Sequence, residues 1–364
     1  MKALENIGTI NIEQFRDDLI SWFRAEQRSL PWRLNKDPYK VWVSEIMLQQ
    51  TRVDTVIPYY HRFMEQFPTI DALANADEDK VLKAWEGLGY YSRARNLQAA
   101  VREVKEKYNG IVPDTPEEIA TLKGVGPYTA GAILSIAYGI PEPAVDGNVM
   151  RVLSRILLIR EDIAKPSSRK IFEKAVRVLI SPDSPSDFNQ ALMELGALVC
   201  TPTSPSCLLC PVREHCQAFH EGAQNELPIK AKKKKPRELR LAAAVIEDEA
   251  GRILIRKRPN EGLLANMWEL PSVELHLPFA DDRKGLSGLY NEFLDVDVEF
   301  GEALGQIQHI FSHLIWNVTV YTGKLNSELP ETIGVKLVTL EELSEFALPV
   351  PHQKMLALYL NRNQ

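Results

Sequence analysis

Two rhythms of apolar residues divide the 364-residue chain. Through residues 11–228 apolar side chains recur at threes and fours, as in VWVSEIMLQQTRVDTVIPYYHRFMEQF, the spacing of amphipathic helices. Pro58 is the expected break within that run. ADEDKVLKAWEGLG reads as another helix, running into a glycine-rich junction, GLGYYSRARN. No alternating stretch interrupts these patterns, so this half is expected to be all-α. Beyond residue 238 the rhythm shortens. LRLAAAVIEDEAGRILIRKRP sets two apolar runs on either side of an Asp-Glu-Ala-Gly turn, a β-hairpin. Trp316, Val318 and Val320 alternate with Asn317 and Thr319, as in a strand, and TLEELSEFAL returns to helix with Thr339 and Glu342 spaced for a capping box. The second half is mixed α+β.

Charge marks the boundary between the halves. Residues 229–240 hold seven Lys or Arg against one Glu, while the segments before and after are both net acidic. Such a stretch is either a solvated linker or a tether that contacts phosphates. The expected organisation is therefore a helical domain over 1–228, a basic linker over 229–240 and a second domain over 241–364. At 45% hydrophobic and 25% charged, the composition is that of an ordinary soluble protein, with no apolar run long enough to cross a membrane. The opening MKALENIGTINIEQFRDDL carries acids and no apolar core, unlike a secretory signal. A cytoplasmic protein with no membrane partner is expected.

Between two helical patterns lies LKGVGPYTAG. Upstream, Thr115, Pro116 and Glu118 mark a helix start; downstream, Pro127 opens a second helix that Gly139 closes. Glycines at 124 and 126 allow positive φ and leave the backbone uncovered, so hairpin and helix N–H groups face outward as an anion site. The stretch over 116–138 is thus either a plain helical corner or a helix-hairpin-helix that grips a DNA phosphate without reading bases.

All four cysteines fall within CTPTSPSCLLCPVREHC: Cys200, Cys207, Cys210 and Cys216. This clustering in the loop 200–216 points to metal ligation rather than disulfides. Structural zinc usually builds on two Cys-x2-Cys or Cys/His pairs, and only one such pair is present; a cubane iron–sulfur cluster suits four thiolates in one loop. Both metals remain open on spacing.

Two acids stand in contrasting settings. Glu45 is alone among Val41, Val43, Ile46, Met47 and Leu48, where desolvation would favour its protonated form and suit a general acid. Asp146, in PEPAVDGNVMRVLSRIL, follows an extended run and opens a helix, where N–H dipoles would keep it ionised. Each has a plain alternative, a solvent-facing Glu and a simple N-cap. Paired, such carboxylates match the demands of glycosidic-bond cleavage, one protonating the leaving group and one stabilising an oxocarbenium-like sugar.

The Gly-Val-Gly hairpin, the downstream Asp146 and the Cys-x6-Cys-x2-Cys-x5-Cys loop, in this order, resemble the helix-hairpin-helix-GPD superfamily of DNA glycosylases over about residues 12–220. With LPWR, VSEIMLQQT, GLGYYSRARN and AVDGNVMRV, and Tyr128 where the endonuclease III branch carries a nucleophilic lysine, the chain is similar to the MutY family of adenine glycosylases over nearly its whole length. The resemblance implies a multidomain protein: an all-α glycosylase domain with a 4Fe–4S cluster on the four cysteines, and a MutT-like (Nudix) domain that recognises 8-oxoguanine. It implies removal of adenine mispaired with 8-oxoguanine or guanine in duplex DNA, by a monomer, without strand nicking, since tyrosine forms no Schiff base.

By the same resemblance, Glu45 would protonate a flipped adenine at N7 and Asp146 would stabilise the oxocarbenium ion. Tyr128 and Asn148 would position these acids, and Trp32, Arg33 and Gln190 would line the adenine pocket. Gln50, Leu88 and Tyr90 would probe or wedge the duplex, with Gly124, Val125 and Gly126 on the phosphate. Phe311, Ser312 and His313 match the loop that meets the lesion. After GLLANMWELP no Arg-Glu-x-x-Glu-Glu run follows, which argues against nucleotide hydrolysis. Two other readings are a bifunctional glycosylase/lyase for oxidised pyrimidines, against which Tyr128 and the extra domain argue, and a non-catalytic iron–sulfur DNA-binding protein, which would not need both Glu45 and Asp146.

Overall fold

The computed structural model describes residues 6–231, 235–275, 282–293, 295–330 and 334–362; part of the basic stretch, residues 232–234, lies outside them. Backbone proximity sorts the chain into two compact units, Met1–Asn75 with Asn96–Lys232, and Ala76–Arg95 with Lys233–Gln364.

The helices in chain order are α1 (Ile12–Glu26), α2 (Pro38–Leu48), α3 (Val53–Gln66), α4 (Ile70–Asn75), α5 (Glu78–Ala84), α6 (Ser92–Lys107), α7 (Pro116–Ile119), α8 (Pro127–Ile136), α9 (Gly147–Ile156), α10 (Pro166–Leu179), α11 (Pro185–Leu198) and α12 (Gln217–His220). No strand occurs among the described residues before Arg237. The break expected at Pro58 lies instead at 49–52, because α3 runs through the proline. Pro58 is solvent-exposed, so the Asp54 carbonyl that loses its helical donor can bond water. In the first unit α11 packs on α1, α8 and α9. Phe15, Leu19, Val152, Phe172, Phe188 and Leu192 form the centre of that core.

The second unit is built on strands β1 (Arg237–Glu247), β2 (Ile253–Lys257), β3 (Trp268–Glu269), β4 (Ser272–Glu274), β5 (Val298–Ile310), β6 (Leu314–Leu325) and β7 (Val335–Val338), with α13 (Asp282–Gly288) and α14 (Val350–Asn361). The sheet order is β3-β2-β1-β6-β5, with β4 also on β1 and β7 also on β2. β1 and β2 form the expected antiparallel hairpin, while β1 and β6 run parallel from Arg237/Leu314 to Glu247/Lys324. LAAAVI is apolar without a break because β1 is central: Leu241, Ala243 and Val245 face one core, Ala242, Ala244 and Ile246 the other. β1 begins at Arg237, inside the stretch expected to be linker. TLEELSEFAL shortens to one turn, Glu342–Glu345, although its capping box forms: Glu342 N–H donates to Thr339 Oγ1 at 3.1 Å and Thr339 N–H to Glu342 Oε2 at 2.8 Å.

Residues 76–95 group with the sheet through polar contacts. Asp79 pairs with Lys257 at 2.6 Å, Glu78 accepts from Asn266 at 2.6 Å, and Arg95 donates to the Ala265 carbonyl at 2.6 Å. Among the described residues no helix is long and apolar enough to cross a membrane.

Candidate active site

Asp146 reaches its position because the segment before it is pinned on two sides. Gly131 of α8 lies so close to Pro143 that a Cβ there would sit 1.9 Å from the Pro143 carbonyl oxygen. From α11, fully buried Asn189 accepts from Ala144 N–H at 3.3 Å and donates to the Glu142 carbonyl at 2.8 Å and to Ser135 Oγ at 2.9 Å. The chain thus arrives extended at Asp146, which caps α9: its Oδ1 accepts from Val149 N–H at 2.7 Å and its Oδ2 from Asn148 Nδ2 at 3.0 Å. Arg151 donates to Asn148 Oδ1 at 2.9 Å, fixing the amide so that its NH2 faces the acid.

Glu45 sits on the buried stripe of α2 and is 5% exposed. Tyr128, in the first turn of α8, donates its hydroxyl to Glu45 Oε2 at 2.5 Å. Burial pushes the Glu45 carboxyl up to about 7, against the Tyr128 hydrogen bond, while nearby Asp146 adds to the rise. Burial also raises the Asp146 carboxyl above its ordinary value, while the capping N–H groups of Val149 and Asn148 pull it back down, favouring the anion as an N-cap should. The Tyr128 hydroxyl is likewise raised by burial, then by Glu45 and Asp146, so it remains a donor.

Glu45, Asp146, Tyr128 and Asn148 line one cavity of about 150 Å³, with Trp32, Arg33 and Gln190 among its other walls. Trp32 is 7% exposed and packs edge-on against Tyr60. Arg33 donates to Gln190 Oε1 at 3.0 Å. Two residues outside the sequence-based candidates complete this wall. Glu194 accepts from Arg28 at 2.9 Å and from Arg33 at 2.9 Å. Burial alone would raise the Glu194 carboxyl, yet these hydrogen bonds outweigh it and hold it at about 2. The signal that singles out Glu45, a lone acid among apolar positions, also applies to Glu194 in ALMELGAL.

The cavity adjoins a groove of about 710 Å³ that shares Asp146, Tyr128 and Asn148 and is also lined by Gln50, Gly124, Gly126 and Arg169. Gln50 is exposed and left-handed at φ 58°, a costly conformation for a residue other than glycine. Gly124 takes φ 78°, where a Cβ would also strike Asn96; Gly126 is extended, with open space beside it. Val125 between them is buried, so the hairpin presents backbone rather than side chain.

In the second unit Tyr90, Phe311, Ser312 and His313 share one cavity of about 350 Å³. Tyr90 is exposed and left-handed, whereas Leu88 is only 6% exposed and lies outside the lining. The four cysteines, joined by no disulfide, line one small cavity, where Arg155 donates to Cys200 Sγ at 3.2 Å. Burial raises the thiols of Cys210 to about 12 and Cys216 to about 11, so ligation there must expel protons. Among the described residues no three His, Cys, Asp or Glu side chains are grouped to hold a single metal ion.

Residues 43–178 match the model of the HhH-GPD superfamily base excision DNA repair protein family, and residues 242–358 that of the NUDIX domain. The chain is 37% identical to the adenine DNA glycosylase of Rattus norvegicus, covering 96% of this chain and 78% of the relative, and 38% identical to that of Homo sapiens, covering 96% and 74%. Among solved structures, that of a thermostable thymine-DNA glycosylase is 26% identical, with a TM-score of 0.53, over 58% of this chain and 97% of that one. The expected fold class, an all-α helix-hairpin-helix glycosylase domain followed by an α+β Nudix-like domain, is borne out.

Proposed function

The chain belongs to the adenine DNA glycosylase family, and from that premise we propose that it hydrolyses the N-glycosidic bond of adenine mispaired with 8-oxoguanine, or with guanine, in duplex DNA. The observation that carries the reading is the convergence of Glu45, Tyr128 and Asp146 on one cavity. Glu45, protonated below about pH 7, delivers its proton to adenine N7 and so weakens the bond to the sugar. Asp146, ionised and aimed by Asn148, stabilises the oxocarbenium ion until water adds. The base must leave the stack to enter the cavity, where Trp32, Arg33 and Gln190 form the adenine wall.

Tyr128 holds Glu45 and supplies no amine, which supports base removal without strand nicking. The Gly124–Gly126 hairpin and Gln50 serve the duplex, phosphate on backbone N–H groups and Gln50 into the stack. The cavity bearing Phe311, Ser312 and His313 supports recognition of the opposite 8-oxoguanine, with the Ser312 hydroxyl on the Hoogsteen edge and Tyr90 beside it. Leu88, buried in the free protein, would wedge the duplex after a local rearrangement that exposes it.

The four thiols around one space suit a 4Fe–4S cluster held by Cys200, Cys207, Cys210 and Cys216, with Arg155 neutralising part of its thiolate charge. Its part is structural, tying the 200–216 loop beside α9 and α11. The protein acts as a cytoplasmic, nucleoid-associated monomer in base excision repair, its glycosylase and Nudix-like domains joined by a basic stretch that ends where β1 begins at Arg237. Duplexes carrying adenine opposite 8-oxoguanine, guanine or thymine test the reading: free adenine, identified chromatographically, should leave the first fastest and the last not at all. Equal release from all three, or none from the first, overturns it.

A further inference from the structure

Arg258, just past β2, joins two walls of the second unit's cavity to a buried anchor. Its Nη1 donates to Glu269 Oε2, on a carboxylate with no solvent exposure. Its Nε donates to the Leu263 carbonyl at 3.0 Å, in the wall formed by Gly262–Leu264. The guanidinium also lies 5.9 Å from the Trp316 ring centre, and Trp316 packs edge-on at 5.0 Å against Phe311, which lines the same cavity. The 259–266 loop is conformationally expensive at two positions: Leu264 and Asn266 take positive φ without being glycine, whereas Gly262 does so freely. Such a loop persists where its surroundings over-determine it. Arg258 supplies side-chain and backbone ties, its N–H also donating to the Met267 carbonyl at 2.9 Å.

We propose that Arg258, locked on Glu269, is a positioning residue for opposite-base discrimination, setting the separation between the Gly262–Leu264 wall and the Phe311–His313 wall of the cavity. This rests on the reading of that cavity as the 8-oxoguanine site. Arg256 provides the control. It pairs with the same Glu269 carboxylate, at 2.5 Å, without bonding to either wall. A purely structural role for the cluster would make Arg256 and Arg258 equivalent; a positioning role separates them.

The test compares full-length Arg258→Met, Arg258→Lys and Arg256→Met with the unaltered protein, in single-turnover adenine excision opposite 8-oxoguanine and opposite guanine, with thermal unfolding in parallel. Arg258→Met should lower the ratio of the two rates by about tenfold or more, through the 8-oxoguanine partner alone. Arg258→Lys keeps a charge on Glu269 but cannot bridge it to the Leu263 carbonyl, so it should also lower the ratio. It also serves if the Met variant does not fold. Arg256→Met should leave the ratio unchanged whatever its unfolding temperature. An unchanged ratio in a folded Arg258 variant overturns the proposal, as does an equal fall in Arg256→Met. Ser312→Ala separates the levels: if it lowers the ratio while the Arg258 variants do not, the clamp alone fails. If it too leaves the ratio unchanged, the reading of the cavity fails with it.

Discussion

Glu45 is asked to be both buried and ionisable, and the two demands conflict. Its carboxyl titrates near 7 in the folded chain against an ordinary 4.5, because burial disfavours the anion. Below pH 4.5 both folded and unfolded chains hold the proton and the group is neutral to stability. Between 4.5 and 7 the unfolded chain releases its proton first, so folding stability falls as pH rises. Above 7 the native state carries a buried anion at a cost of about 3 kcal/mol. Glu45→Gln keeps a carbonyl to accept from Tyr128 and removes that charge. It should therefore gain up to about 3 kcal/mol at pH 8 and nothing near pH 4, as urea unfolding at the two pH values would show. It should also lose about 100-fold or more in excision rate. Wild-type excision should fall as pH rises through about 7. A Gln variant that excises adenine at the normal rate contradicts the assigned role.

At the scale of elements, the site depends on how closely α8 approaches the extended segment before α9. Gly131→Ala would drive its Cβ against the Pro143 backbone, which has no flexible side chain to yield. The expected cost is about 1–3 kcal/mol, with a fall in excision larger than the loss of folded protein alone would explain, because Asp146 moves with the segment. Denaturant unfolding and single-turnover rates check the two parts; full stability and full rate would refute the contact's importance. This close approach was not legible in TAGAIL, where glycine reads merely as a weak helix former. The hairpin glycines, the cysteine spacing and the solitary acid of α2 were legible, since each leaves a local mark on spacing or polarity. Pairings such as Arg28 and Arg33 with Glu194, more than 150 residues apart, leave none. The N-cap role of Asp146 is visible in sequence, but its burial is not, because that comes from elements far along the chain.

For the whole molecule, periodicity located the change from helix to sheet, because β1 replaces helical spacing with an apolar run buried on both faces. It did not anticipate that residues 76–95 would group with the sheet-bearing unit. That grouping depends on ion pairs and hydrogen bonds such as Asp79 with Lys257 and Arg95 with Ala265. The proposed reaction is tested most directly by single turnover on an end-labelled duplex carrying adenine opposite 8-oxoguanine, sampled with and without hot alkali. Strand breaks seen only after alkali, with no borohydride-trapped adduct, are the predicted result and identify hydrolysis of the base without lyase action. Breaks before alkali, trapped by borohydride, would reveal an amine nucleophile that Tyr128 does not supply and overturn simple hydrolysis.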